Sequence, residues 1–112
     1  MIRSTTTLIL ASCLASADVW TDAFNIEKIS LPPGVDAQIG GLATTPSGNL
    51  AACFHRGELF IYNPKDDTWK QFASGLHEPL GILAESDSSF LVMQRPELTR
   101  VSDTDGDGIG DL

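Results

Sequence analysis

Apolar and polar residues alternate in short bursts through the middle of this chain, with turn residues between them. Residues 41–45 end at Pro46-Ser47-Gly48-Asn49, residues 50–55 at Arg56-Gly57, and residues 58–62 at Asn63-Pro64-Lys65-Asp66-Asp67. Successive strand residues face opposite sides of a sheet, so bursts of this length predict short β-strands. From Thr68 to Ala73, Trp69, Gln71 and Ala73 alternate with Lys70 and Phe72, and Lys70 marks that stretch as an edge strand. Earlier, Phe24, Ile26, Lys28 and Ser30 alternate with Asn25, Glu27, Ile29 and Leu31, which predicts a leading strand stopped by Pro32-Pro33-Gly34. No long window carries apolar residues at helical spacing.

The bursts repeat. Gly41-Leu42-Ala43 falls on Gly81-Ile82-Leu83 at an offset of 40, and the same offset lays residues 49–53 on 89–93. It also lays His55 on Arg95, Ile61 on Val101 and Asn63 on Asp103 without a gap. A period near 40 residues built from short strands is the pattern of a β-propeller blade. The expected fold is therefore all-β, a β-propeller fragment. Residues 18–39 form a leading strand and connector, 40–75 a four-stranded blade, and 76–112 an incomplete second blade. Propellers have roughly four to eight blades. Two alone leave apolar faces uncovered, so this chain by itself is expected to be marginal and prone to aggregate.

The first 17 residues read as a secretory leader. Arg3 supplies the positive end, Thr5 to Leu14 the apolar stretch, and Ala15-Ser16-Ala17 a small-x-small cleavage site before Asp18. The expected destination is the periplasm or the extracellular space. Leu10-Ala11-Ser12-Cys13 also fits a lipidation box, with Cys13 as the anchor; cleavage before Asp18 is the preferred reading. A membrane-spanning helix is excluded here, since it takes about 20 apolar residues. Seven Lys and Arg face fifteen Asp and Glu, a formal net charge of −8. Such an acidic chain repels nucleic acid and anionic membrane, so neither is an expected partner. After cleavage only Cys53 remains, which excludes an intrachain disulfide, and its apolar neighbours predict a buried core thiol.

Chemistry-bearing residues gather in two places. In a propeller, His55 and Arg56 in one turn, Arg95 in its repeat, and His77 in the link between blades open onto the same channel mouth. A histidine there could act as general base, and an arginine could orient an anion or a sugar hydroxyl. These four are the only catalytic candidates; solvated turn residues, with His77 bonding between blades, are the simpler account. On the opposite face, Asp103, Asp105 and Asp107 followed by Gly108 read D-x-D-x-D-G, the first half of an EF-hand-type calcium loop. By the same count Ile109 would add a carbonyl and Asp111 the ninth, often water-mediated, ligand. The twelfth position falls at 114. The expected role for calcium is a structural staple, with a plain acidic turn as the alternative. Trp20, Trp69 and Phe72 are read as packing aromatics. No G-x-S-x-G, P-loop or zinc-like His/Cys cluster occurs, C-x-x-C-H is absent, and Gly40-Gly41 lacks the rest of a dinucleotide fingerprint.

The runs Gly75-Leu76-His77-Glu78-Pro79-Leu80-Gly81, Val92 to Arg100 and Asp103 to Gly108 resemble a family. They are similar to secreted bacterial propellers of the glucose/sorbosone dehydrogenase-like group, many of them labelled membrane-bound dehydrogenase or haem-binding propeller proteins. The resemblance covers residues 22–112. It implies a six-bladed propeller of which this chain is the first portion, the remaining blades lying outside it. It also implies a parent that oxidises a sugar or related alcohol with pyrroloquinoline quinone and calcium, its base and quinone contacts largely in later blades. The chain alone is then expected to be inactive. The alternatives are a non-catalytic, calcium-stabilised secreted propeller that binds carbohydrate or protein, and a truncated gene product.

Overall fold

The computed structural model describes residues 23–111, and seven strands make up their regular structure from Ile39 onward. The leader, Cys13 and Trp20 lie outside the described residues. Strands β1 (Ile39–Thr44), β2 (Leu50–Phe54), β3 (Leu59–Asn63) and β4 (Thr68–Ala73) form an antiparallel sheet in chain order. A second antiparallel sheet contains β5 (Gly81–Ala84), β6 (Ser89–Met93) and β7 (Leu98–Ser102). The all-β expectation holds, and these are the strands that the bursts predict, within a residue or two at the ends. No helix among the described residues is long and apolar enough to cross a membrane.

The sheets stack face to face because strand alternation gives each an apolar side. Sheet one contributes Ala51, Cys53 and Leu59, and sheet two contributes Phe90, Val92 and Val101, all fully buried. The fit sets small residues against large ones. Phe90 meets Phe72 edge-on, with ring centroids 5.1 Å apart. Phe72 reaches the core through a β-bulge: Leu59 pairs with Ala73 and Phe60 with Gln71, leaving Phe72 unpaired between them. The expected alternation of Phe72 against Ala73 is thereby broken, and both are buried.

Backbones meet where β1 passes β5. A Cβ on Gly41 would lie 3.0 Å from the Gly81 Cα, and one on Gly40 would lie 1.8 Å from the Pro79 carbonyl oxygen. Gly40-Gly41 is thus a packing device. The thiol of Cys53 donates to the Gly41 carbonyl at 3.6 Å, and burial pushes its pKa up, as befits a core thiol.

The other face of sheet one carries an aromatic cluster. Phe54 meets Phe60 edge-on at 5.8 Å, and Trp69 lies 5.0 Å from Tyr62. The Trp69 indole N–H donates to the Ser30 carbonyl at 2.7 Å, which docks the N-terminal arm on this face. The leading strand expected over Phe24 to Leu31 does not form. An alternating sequence becomes a strand only with a ladder partner, and residues 24–31 join no ladder here; the bond from Trp69 docks the arm instead.

The gap-free repeat also needs correction. Ala51 pairs with Ile61, yet Leu91 pairs with Arg100, so β7 runs at an offset of 39 from β3. The turn before β7 is one residue shorter than its counterpart. A one-residue slip in a strand reverses every side chain. At offset 40, Arg100 would point into the core and Val101 away from it. The shorter turn instead buries Val101 and leaves Arg100 outside, paired with Glu85 at 2.8 Å.

Two glycines give a clean stability test. Gly57 has φ +100 and no room, since a Cβ would fall 2.0 Å from the Leu76 carbonyl oxygen; Gly48 has φ +88 and open space around it. Gly57→Ala should cost roughly 2–4 kcal/mol and Gly48→Ala about 1 kcal/mol, read as urea midpoints. Phe90→Ala should cost about 3–5 kcal/mol.

Candidate functional site: an acidic loop and the opposite rim

The acidic loop follows β7 and joins Ser102 to Asp111, which pair across it as an isolated antiparallel bridge. In sheet one the corresponding bridge is Asn63 with Thr68. The loop therefore occupies the turn between third and fourth strands, enlarged by four residues. Asp103 shapes it: one carboxylate oxygen accepts the Gly106 N–H at 2.7 Å and the other the Gly108 N–H at 2.8 Å. Asp105 accepts from the Asp107 N–H at 3.1 Å, and Asp107 from the Ile109 N–H at 2.7 Å. Gly106 (φ +82) and Gly108 (φ +81) supply the left-handed turns that this curl requires.

This ladder draws the carboxylates of Asp103, Asp105 and Asp107 together, with one oxygen from each within 4.8 Å of the others. Calcium binds oxygens at about 2.3–2.6 Å, so two ligands of one ion lie at most about 5 Å apart. The three fit a single hard cation. Asp111 is placed differently, at the foot of the loop. Its carboxylate accepts the Thr104 N–H at 3.1 Å and also the Thr104 hydroxyl. Those bonds, the hydroxyl's foremost, hold its pKa below the ordinary value. Ile109 enters through its N–H bond to Asp107.

The loop also clasps the neighbouring sheet. The Gly110 N–H donates to the Phe72 carbonyl at 2.7 Å, and the Lys70 ammonium of β4 lies against Gly108, where a Cβ would come within 2.0 Å of it. Beside this contact an intersheet cleft of about 320 Å³ is lined by Asn49, Asn63, Lys70, Asp87 and Asp103, among others. Asp87 accepts the Ser47 N–H across the sheets at 3.0 Å. Hydrogen bonds from the Thr45 hydroxyl, then from Ser47, hold its pKa down. Sequence reasoning missed Lys70, Asp87 and Thr104 as partners. Ser47 and Asp87 do stand 40 residues apart, a signal that the repeat already contained.

His55, Arg56, His77 and Arg95 lie at the other end of the sheets. The Leu76 N–H donates to the Gly57 carbonyl at 3.1 Å and the Arg95 N–H to the His77 carbonyl at 2.9 Å. These bonds tie both turns to the link between the sheets. The His77 N–H donates to the buried Gln94 side chain at 2.7 Å, and Gln94 in turn donates to the Thr99 hydroxyl. The guanidinium groups are engaged: Arg95 with Glu78 at 2.7 Å and Arg56 with Asp36 at 3.6 Å. The backbone brings the four candidates to one rim, where two of them serve as ion-pair partners of local carboxylates. Compared with protein-family models, curated proteins and solved structures, the chain matches none.

Stability should depend on acid through Asp87 and Asp111. Both carboxyls sit below their ordinary pKa in the fold, so each stabilises above about pH 3.9 and loses that contribution as pH falls through its folded value. Urea midpoints should drop between pH 6 and pH 3, and Asp87→Asn should lower the pH 6 midpoint while flattening the drop.

Proposed function

We propose that this chain is a scaffold portion of an exported, calcium-stabilised β-propeller of the glucose/sorbosone dehydrogenase-like kind, and is not a catalyst by itself. The observation that carries the scaffold reading is the stacking of two sheets of one repeat, with Gly41 of one backbone laid on Gly81 of the next. Propellers are built by that kind of radial repetition. The calcium reading rests on three carboxylate oxygens gathered within 4.8 Å in a glycine-turned loop. Bound there, the ion would neutralise the acidic loop that already grips β4 through Gly110, and so staple one sheet to its neighbour.

Among the described residues, the rim makes no quinone cradle. An anionic quinone calls for unengaged cationic donors, and the rim offers Arg56 and Arg95, each committed to a carboxylate. Sugar oxidation and pyrroloquinoline quinone therefore belong, on this reading, to a whole protein of the resembling family. The engaged arginines favour the second reading to the same degree: a non-catalytic secreted propeller that binds carbohydrate or protein.

Calcium at 10 mM should stabilise the chain by about 1.4–2.7 kcal/mol for a dissociation constant of 0.1–1 mM, the usual range of extracellular modules. That corresponds to a rise on the order of 5–15 °C in Tm, followed by circular dichroism. Asp105→Asn should abolish the rise, and magnesium should give much less. Absence of any calcium shift would remove the staple. Dye-coupled oxidation of an aldose by the isolated chain with added quinone would remove the non-catalytic reading.

A further inference from the structure

Only two Asp-Gly pairs occur in this chain, Asp105-Gly106 and Asp107-Gly108, and both lie in the acidic loop. Such a pair can react with itself. The glycine amide nitrogen attacks the aspartate Cγ, an approach that a side chain on the second residue would crowd and that glycine leaves open. The new N–Cγ bond closes a succinimide ring as the carboxyl C–O bond breaks and one water leaves. One water then returns. Where it opens the ring at the main-chain carbonyl, the bond from that carbon to the glycine nitrogen breaks, and the backbone runs on through the side chain as isoaspartate. Mass is unchanged, and no oxidant or cofactor takes part.

The fold treats the two pairs differently. Asp105 and Gly106 are exposed at the loop tip, and a Cβ placed on Gly106 would meet nothing within 4 Å. Gly108 is half-buried, and a Cβ there would fall 2.0 Å from the Lys70 Nζ of β4. Two residues further on, the Gly110 N–H holds the Phe72 carbonyl at 2.7 Å, so this half of the loop opens only by parting from the neighbouring sheet. At the tip, hydrogen bonds within the loop are the restraint. Asp103 accepts the attacking N–H of Gly106 at 2.7 Å, and the Asp105 carboxylate is turned onto the Asp107 N–H at 3.1 Å. Both reacting groups are held by other partners while the loop is closed.

We propose that Asp105-Gly106 is a site of covalent modification, isomerising to isoaspartate whenever the loop tip opens, and that Asp103 sets how often it opens. The reaction draws on the open population of the loop, so the strength of the closing bonds governs its rate. Asp107-Gly108 reacts more slowly in the fold, because Lys70 and the bond to the Phe72 carbonyl keep that half shut. Isomerisation inserts a methylene into the backbone at 105 and leaves an α-carboxylate on a shorter stem, which withdraws the third acid from the group formed with Asp103 and Asp107. An enzyme that methylates isoaspartyl carboxylates would recognise the product. The modification goes beyond the scaffold reading and needs no calcium; it makes the loop a record of how long a molecule has been loosened.

Ageing the full chain near neutral pH with a chelator present, followed by peptide mapping with electron-based fragmentation, tests it. In the folded chain isoaspartate should build up several-fold faster at 105 than at 107. Asp103→Ala should raise the rate at 105 about tenfold, the order expected for losing a hydrogen bond to a carboxylate. Lys70→Ala should raise the rate at 107 and leave 105 unchanged. In urea the two sites should react alike, and neither substitution should matter. Asp105→Glu should abolish the product at 105 alone, since the longer side chain would have to close a larger, disfavoured ring. Trp fluorescence checks that each variant is folded, and Lys70→Ala, exposed on β4, decides the matter should Asp103→Ala unfold. Equal rates at the two sites in the folded chain, a folded Asp103→Ala variant reacting at 105 like the parent, or a Lys70→Ala variant unchanged at 107 would each overturn the proposal.

Discussion

Everything in this molecule depends on how closely two backbones approach where β1 passes β5. A sheet face of ordinary side chains keeps its neighbour at about 10 Å. Gly40 and Gly41 remove that spacer on one side, and Gly81 and Pro79 meet them from the other. The inner strands can then converge, and the larger side chains of sheet two fill the space that opens outward. Ala51 and Cys53 fit beneath Phe90 and Val92 because the convergence leaves no room for more. The gradient from glycine at the inner strand to Phe72 at the outer one gives each sheet a wedge-like fit to the next.

The hydrogen bonds between sheets serve that fit at both ends. Asp87 reaches the Ser47 N–H at the loop end, and Gly110 reaches the Phe72 carbonyl. At the rim, the link between the sheets lies on the Gly57 turn so tightly that only glycine fits. These bonds supply direction; the apolar surface supplies most of the driving force, which is non-directional. Their acidic partners are solvent-exposed or nearly so, which makes the ends of the stack the part that answers to pH and cations.

Much of this was legible in the sequence, for physical reasons. Strand length, turn position and the offset of 40 follow from alternation and from turn residues, which act locally. The β7 slip was not legible, because nothing local distinguishes a turn one residue shorter. It is decided by whether Arg100 or Val101 faces the core. Phe72 likewise escaped, since a bulge breaks the alternation from which it would be read. The acidic loop was legible as a ligand pattern, while the bond from Thr104 to Asp111 was not, because it depends on how the loop closes. The arm is no strand because it joins no ladder, which no residue within 24–31 could reveal. The rim candidates were read as one group, and the backbone does gather them, but their partners Asp36 and Gln94 are set by packing.

The enlarged loop has one further consequence. Thr68 and Asp111 occupy the same place after the third strand, yet they stand 43 residues apart, while the inner strands stand 40 apart and the third strands 39. The repeat drifts in phase without disturbing the stack, because insertions and deletions fall in turns at the solvent ends, and strand faces alone fix what packs. Further copies of this unit, in any chain, would be lost to a search at constant spacing after a single loop. The inner-strand glycine is the mark that stays in step.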